Sequence, residues 1–168
     1  QFAIKNAINR TNKRFLFKTE QDFAGSGSTA CFACIQQHNI IIANIGDSRA
    51  MLITKNKKVY FTKDHKPNDP VEKRKIEKKG GYVTNTDGVY RVNGILSMSR
   101  ALGDKSIAHV LSDSADFYSF DLRDDDNVET MVIGSDGLWD AINGKRVMKI
   151  LKKYKTAQRQ SMALTQEA

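Results

Sequence analysis

The sequence predicts an α+β fold, and three features of its hydrophobic pattern support this class. Apolar residues recur at helical spacing from Gln1 to about Lys18. Between residues 30 and 62, four short segments rich in Ile, Val, Phe and Tyr are separated by short polar turns, which is typical of antiparallel strands. The helical period returns from Asn143 to about Ala168, where Val147, Ile150, Leu151 and Tyr154 share one face.

The predicted elements follow one another along the chain with short connections. Ile4, Ala7, Ile8 and Phe15 are expected to form the buried face of the first helix. Pro70 starts a surface helix that ends before Gly80-Gly81, and a helical turn is expected within Ile95–Asp104. The predicted strands are Ala30–Gln36, Asn39–Ile45, Arg49–Thr54 and Lys57–Thr62, expected as one meander, then Tyr82–Thr84, Val89–Val92, Asp116–Leu122 and Glu129–Ile133.

Length and composition indicate one ordinary globular domain. The 168 residues are 40% hydrophobic and 27% charged, with a net charge of +8. The excess positive charge is concentrated in Lys5–Lys18 and Lys145–Arg159. It is compatible with phosphorylated partners or nucleic acid, but solvated helix faces explain it better, because no aromatic residues are interleaved with the basic ones. We therefore expect no nucleic-acid partner, and the lack of a long apolar run predicts no membrane partner.

The two cysteines, Cys31 and Cys34, are three residues apart. This spacing occurs in redox pairs and in halves of zinc sites, but no second Cys or His pair completes a zinc site. On a strand the two side chains would point to opposite faces. We expect two buried free thiols, which favours a reducing compartment, cytoplasmic or nuclear.

The most informative stretch is the turn after the last predicted strand, Ile133–Asp140. Gly134 and Gly137 allow a sharp bend beside Asp136, and Asp140 follows one helical turn later. A carboxylate at the end of a buried strand is a suitable ligand for a hard cation. The alternative is an ordinary helix N-terminus, with Ser135 or Asp136 as the cap and Trp139 in the core.

Two further glycine–aspartate turns occur upstream, at Gly46-Asp47 and Gly103-Asp104. Asp47 also follows an apolar strand, although Asp and Gly are common in simple hairpin turns as well. Several carboxylates at strand ends can hold Mg²⁺ or Mn²⁺ ions that activate water for attack on phosphorus. Neither a serine-hydrolase elbow nor a zinc-protease histidine pair is present in the sequence.

Seven short motifs, taken together and in order, resemble the type 2C metal-dependent protein serine/threonine phosphatase family. They extend from about residue 25 to residue 140, and each is weak alone. The motifs are Gly27-Ser28-Thr29-Ala30, Asn44-Ile45-Gly46-Asp47-Ser48-Arg49, Asp64-His65-Lys66-Pro67, Gly80-Gly81, Arg91-Val92-Asn93-Gly94, Ser99-Arg100-Ala101-Leu102-Gly103-Asp104 and Ser135-Asp136-Gly137-Leu138-Trp139-Asp140.

The resemblance implies a fold and a set of roles that the pattern alone does not. The fold would be a four-layer sandwich of two mainly antiparallel sheets flanked by helices, with residues 1–168 as a partial catalytic domain. Asp136 matches a ligand of two core Mg²⁺ or Mn²⁺ ions. Asp47, with Asp136 and Asp140, matches the ligands of a third, more weakly bound ion. The expected activity is hydrolysis of phosphoserine and phosphothreonine in proteins, by a monomer.

The sequence also departs from the family pattern. An Asp-Gly-His-Gly-Gly-like element and a later Asp-Asn element, which supply further metal ligands in the family, have no match in this chain. Three carboxylates are too few to fix a binuclear centre, so we expect residues 1–168 by themselves to be inactive. The alternative function is a phosphatase-like binding module without catalysis.

Overall fold

The computed structural model describes residues 1–18, 25–124 and 127–168. Five helices lie in these residues: α1 (Phe2–Lys18), α2 (Pro70–Lys78), α3 (Asp136–Ala141), α4 (Gly144–Lys153) and α5 (Ala157–Glu167). The strands are β1 (Gly27–Ser28), β2 (Ala30–Gln36), β3 (Asn39–Ile45), β4 (Arg49–Thr54), β5 (Val59–Phe61), β6 (Val83–Thr86), β7 (Val89–Val92), β8 (Leu102–Gly103), β9 (Asp116–Asp121) and β10 (Val128–Gly134).

Two three-stranded antiparallel sheets form the centre of the molecule. Their strand orders are β2-β3-β9 and β10-β4-β5. Ile40 and Ile42 of the first sheet and Ala50 and Leu52 of the second belong to one buried cluster, so the sheets pack face to face. The predicted α+β class is confirmed.

Helices cover the outer face of each sheet. Ile8 of α1 packs with Ala43 and Ile45 of the first sheet. On the other side, Met51 and Ile53 of the second sheet share a core with side chains of α3, α4 and α5. The order helix, sheet, sheet, helix is the predicted four-layer sandwich.

The first three predicted strands have the observed bounds, but they do not form a meander. β2 pairs with β3 and β4 pairs with β5, whereas β3 and β4 lie in different sheets. Both β3 and β4 are buried along almost their whole length. Strands covered on both faces belong inside a sandwich, and the turn between them therefore crosses from one sheet to the other.

Four local predictions were wrong. Residues 95–104 contain no helical turn, because Leu102–Gly103 pairs instead with Gly27–Ser28. The C-terminal helix is two helices, since the Thr156 side chain accepts from Arg159 N–H and starts α5. Cys34 is exposed and Cys31 is half-buried, whereas both were predicted to be buried; both thiols are free, as predicted. In α1, Ala7 and Phe15 are exposed, and Asn12 occupies the buried face beside Ile8.

Asn12 is buried because it links two distant segments. Its side-chain amide donates to Asp113 at 2.9 Å, and its oxygen accepts from Gly103 N–H at 2.8 Å. Both polar ends of the amide are therefore satisfied inside the fold. None of the described helices is sufficiently long and apolar to cross a membrane.

Candidate metal centre

The register of the second sheet brings the two main candidate carboxylates to one edge. β4 and β10 are antiparallel, and Arg49 at the start of β4 lies opposite Gly134 at the end of β10. Asp47 is two residues before Arg49, and Asp136 is two residues after Gly134. Both line a cavity of about 360 Å³, together with Gly25, Gly27, Ser28, Thr29, Ser48, Leu96, Met98, Asp104 and Ser135.

Asp47 is the buried carboxylate of this cavity, with 2% of its surface exposed. Lys66 Nζ donates to Asp47 Oδ2 at 2.6 Å, and about a third of the Lys66 side chain is exposed. A buried carboxylate is stable only when its charge is balanced. The Lys66 ammonium group thus balances the charge of the Asp47 carboxylate.

Gly46 fixes the direction in which the chain presents Asp47. Its φ is +92°, and a Cβ there would be 2.4 Å from Thr29 Cγ2 and 3.2 Å from the Arg100 carbonyl oxygen. Only glycine fits both the backbone conformation and the space. The adjacent Ser48 hydroxyl lies 2.8 Å from that of Thr29, which ties the turn to the segment before β2.

Asp136 and Asp140 belong to α3 and are exposed. Asp136 Oδ1 accepts from Gly137 N–H at 2.9 Å. The predicted alternative for this stretch is partly realised, since Ser135 stands at the N-cap position, but its side chain makes no capping hydrogen bond. Asp140 does not line the cavity that Asp47 and Asp136 share.

Trp139 holds α3 against the end of the sheet. Its Nε1–H lies 3.0 Å from the Arg49 carbonyl oxygen and 2.9 Å from that of Gly134 and donates to both. The indole is buried, as the helix N-terminus reading predicted. Asp136, three residues earlier on a six-residue helix, is therefore positioned by the end of the sheet.

Arg49 is the first residue of β4, two residues after Asp47. Its guanidinium donates to both oxygens of Asp64, at 2.7 and 2.6 Å, and lies 5.6 Å from the Trp139 ring centroid. The hydrogen bond to Asp64 raises the pKa of Arg49. With its fork committed to Asp64, Arg49 acts as a structural cation beside the site.

Sequence reasoning noted Gly103-Asp104 but assigned no role to Asp104, which also lines the cavity. The residue is buried, and burial raises the pKa of its carboxyl group. A Cβ on Gly27 would be 1.9 Å from Asp104 Oδ2, so the glycine leaves the space that this carboxylate fills. The recurrence of the Gly-Asp pair was the signal that could have identified it.

Sequence reasoning also missed a buried polar network behind the cavity. Arg100 donates to both oxygens of Glu72, at 2.9 and 2.7 Å, and to Asp116 at 2.8 Å. Although burial opposes ionisation, hydrogen bonds from Arg100 and Lys75 lower the pKa of Glu72 to about 2. His65 and Arg100 hold the pKa of Asp116 well below its usual range. Both carboxylates are therefore ionised near neutral pH.

The donor types suit a hard divalent cation, but the chain supplies only part of a ligand set. Asp47 and Asp136 meet at one cavity, and carboxylate oxygens are preferred by Mg²⁺ and Mn²⁺. In residues 1–18, 25–124 and 127–168, no group of three or more His, Cys, Asp or Glu side chains is arranged to hold a metal ion. Of the three predicted ligands, the structure brings together two.

Comparison with known proteins agrees with this architecture. The family model for protein phosphatase 2C matches residues 1–168. The chain belongs to the protein phosphatase 2C family.

Two curated relatives match almost the whole of this chain. Probable protein phosphatase 2C 44 of Oryza sativa subsp. japonica is 36% identical over 170 residues, covering 100% of this chain and 52% of the rice protein. Probable protein phosphatase 2C 41 of the same organism is 38% identical over 168 residues, covering 99% and 57%. This chain thus spans about half the length of these curated relatives.

Among solved structures, serine-threonine phosphatase 2C from Toxoplasma gondii superposes with a TM-score of 0.83 at 24% identity, covering 98% of this chain and 61% of that one. A C. elegans sex determining protein gives a TM-score of 0.82 at 23% identity, covering 95% and 40%. These likenesses establish the shared fold.

Proposed function

We propose that the protein is a metal-dependent phosphatase of phosphoserine and phosphothreonine in proteins. The observation that carries the proposal is the β4–β10 register, which opposes Arg49 to Gly134 and so directs Asp47 and Asp136 into one cavity. Family membership supports the same reaction class. Three aspartates, Asp47, Asp104 and Asp136, line this cavity.

Asp136, Asp47 and Asp140 are the proposed metal-binding residues. Asp136 would serve the core Mg²⁺ or Mn²⁺ ions, and Asp47, with Asp136 and Asp140, would hold a further ion. When bound, such ions activate water for attack on phosphorus and offset charge on the phosphoryl oxygens. The chain's own contribution is to hold the carboxylates in place. Trp139 fixes the helix that carries Asp136, and Lys66 balances Asp47 in the absence of metal.

The test is Mn²⁺-dependent release of phosphate from a phosphothreonine peptide by the complete gene product. Asp136→Asn should lower kcat by at least about 100-fold, because metal stabilisation of the transition state is worth several kcal/mol. Asp47→Asn should cause a smaller loss that added Mn²⁺ relieves. Asp87→Asn is the matched control, since Asp87 lies in the β6–β7 turn and not at the cavity.

Near-normal turnover by Asp136→Asn would contradict the role of Asp136 as a metal ligand. Turnover by Asp47→Asn with an unchanged Mn²⁺ dependence would contradict the role of Asp47. A complete protein that folds and binds Mn²⁺ but releases no phosphate would instead be a phosphatase-like binding module.

A further inference from the structure

His65 is completely buried, with 0% of its surface exposed, and it contacts Gly46 twice. The His65 backbone N–H donates to the Gly46 carbonyl oxygen at 3.0 Å. In return, the Gly46 N–H donates to His65 Nδ1, also at 3.0 Å. Both polar groups of the Gly46 backbone are thus satisfied by a single residue.

These contacts determine the tautomer of the ring. A nitrogen that accepts a hydrogen bond carries no proton, so the proton of the neutral imidazole is on Nε2. His65 Nε2 lies 3.2 Å from Asp116 Oδ2, where its proton is donated to a carboxylate. Arg100 Nη1 donates to the other oxygen of Asp116 at 2.8 Å and holds that carboxylate in place.

The residue that follows His65 contacts the residue that follows Gly46. Lys66 Nζ donates to Asp47 Oδ2 at 2.6 Å. The dipeptide His65-Lys66 therefore holds the dipeptide Gly46-Asp47 by three hydrogen bonds: one between backbones, one from a backbone N–H to the ring, and one between side chains. The His65 carbonyl oxygen accepts from Ser99 N–H at 2.8 Å, which anchors this dipeptide in turn.

The Gly46–Asp47 turn needs such support because it crosses between the two sheets. It has left the hydrogen-bonding pattern of β3 and has not entered that of β4, so its buried backbone groups need other partners. An unpaired Gly46 N–H would favour rotation of the turn toward another acceptor. Rotation at Gly46 would move the Asp47 carboxylate away from Asp136.

We propose that His65 is a positioning residue of the phosphatase site: its ring, protonated on Nε2, accepts from Gly46 N–H and holds Asp47 in the orientation for metal binding. The inference rests on the proposed function. His65 touches neither substrate nor metal ligand in this role and acts through the Gly46 backbone. Asp116 acts one step further away, by fixing the tautomer.

Two substitutions separate the two sides of the ring. The amide of Asn places an oxygen near the position of Nδ1, whereas the longer Gln reaches the position of Nε2. His65→Asn keeps an acceptor for Gly46 N–H and gives up the bond to Asp116. His65→Gln keeps a donor for Asp116 and gives up the acceptor for Gly46. Both variants remove the same aromatic ring and are matched for that loss.

The affinity for Mn²⁺ is measured by electron paramagnetic resonance on the complete gene product and on both variants, below their unfolding temperatures. We expect His65→Gln to raise the Kd for Mn²⁺ about tenfold or more, which is the loss typical when a group that orients a metal ligand is removed. We expect His65→Asn to keep this Kd within about threefold, because the acceptor for Gly46 N–H remains. Turnover at saturating Mn²⁺ should recover more fully in His65→Asn. Equal loss in the two variants, in a protein that releases phosphate when unsubstituted, would overturn the positioning role.

A second measurement requires neither bound metal nor a substituted variant. In a two-bond nitrogen–proton NMR spectrum of the unsubstituted protein, His65 Nδ1 should resonate as an unprotonated nitrogen and Nε2 as a protonated one. A proton on Nδ1 would overturn the inference. Failure of the unsubstituted protein to release phosphate would overturn the proposed function, and the ring spectrum would still decide the His65–Gly46 contact.

Discussion

The two sides of the cavity differ in how firmly the chain holds its carboxylates. Asp47 is buried, paired with Lys66 and attached to a turn whose backbone is bonded to His65. Asp136 and Asp140 are exposed, and within the described residues they form no ion pair. One side is preorganised by the fold, and the other is presented to solvent on a short helix.

This difference has a physical origin. A carboxylate inside the sandwich must be balanced in the absence of metal, so the chain supplies its own cation. A carboxylate at the surface is balanced by water and needs no partner. Substitutions behind Asp47 should therefore affect folding, whereas substitutions at Asp136 should affect metal binding and leave folding intact.

The largest effect is expected from Arg100→Met, which breaks the network behind Asp47. Glu72 would be left as a buried charge without its main partner, and loss of one member of such a pair costs about 3–5 kcal/mol of unfolding free energy. Urea unfolding of the complete protein measures the change. Arg146→Met is the control, since the exposed Arg146–Glu167 pair should contribute about 0–1 kcal/mol. Comparable losses in both variants would contradict a special role for the network.

The next effect is expected from Gly46→Ala, with Gly88→Ala as its matched control. Both glycines have positive φ, +92° and +85°, but a Cβ on Gly88 would meet no atom within 4 Å. Gly88→Ala should therefore cost only the left-handed backbone term of about 1–2 kcal/mol. Gly46→Ala should cost about 1–3 kcal/mol more, because its methyl group collides with Thr29. Thermal unfolding of the two variants measures this difference. Equal decreases in Tm would mean that the Gly46 turn accommodates the added methyl group without strain.

A third effect concerns acid stability. The pKa of Glu72 is about 2 in the folded protein, below its ordinary value of 4.5. The contribution of the ionised Glu72 to the unfolding free energy is therefore complete above pH 4.5 and is lost as the pH falls toward 2. Glu72→Gln should lower the unfolding free energy by about 1–3 kcal/mol at pH 7. The difference from the unsubstituted protein should narrow below pH 4.5. A difference independent of pH, or one reproduced by the exposed-site variant Glu77→Gln, would contradict this linkage.

The smallest effect on folding is expected on the exposed side. Asp136→Asn and Asp140→Asn should each change the unfolding free energy by less than about 0.5 kcal/mol in the absence of metal, as is usual for surface positions. Metal-free urea unfolding of the two variants provides the measurement. A clear stabilisation by either substitution would reveal repulsion between carboxylates at the cavity, and a large destabilisation would show that this side is also held by the fold.

Much of this architecture could be predicted from the sequence. The bounds of the first three long strands followed from their content of Ile, Val and Phe and from the polar turns between them. The start of the second helix followed from Pro70, and the structure adds that Asp69 caps it by accepting from Val71 and Glu72 N–H. Asp47 and Asp136 were identified because each follows a glycine or a small-residue turn at the end of an apolar strand. These features are local, and a residue's neighbours in the chain are enough to show them.

The remaining features depend on residues that are distant in the chain. The pattern of β3 and β4 could not show that they lie in different sheets, because hairpin turns and sheet-crossing turns share the same residues. Asp140 was predicted to share an ion with Asp47 and Asp136, but it does not line the cavity that those two residues share.

By itself, the sequence determined the α+β class, most of the strands and the two carboxylate turns, since these depend on hydrophobic period and on residues a few positions apart. Only the tertiary structure decided which carboxylates meet, which of them is buried and what holds it there. The contacts of His65 with Gly46 and Asp116 join residues 19 and 51 positions apart. Their geometry is set by the packing of two sheets, which no local pattern encodes.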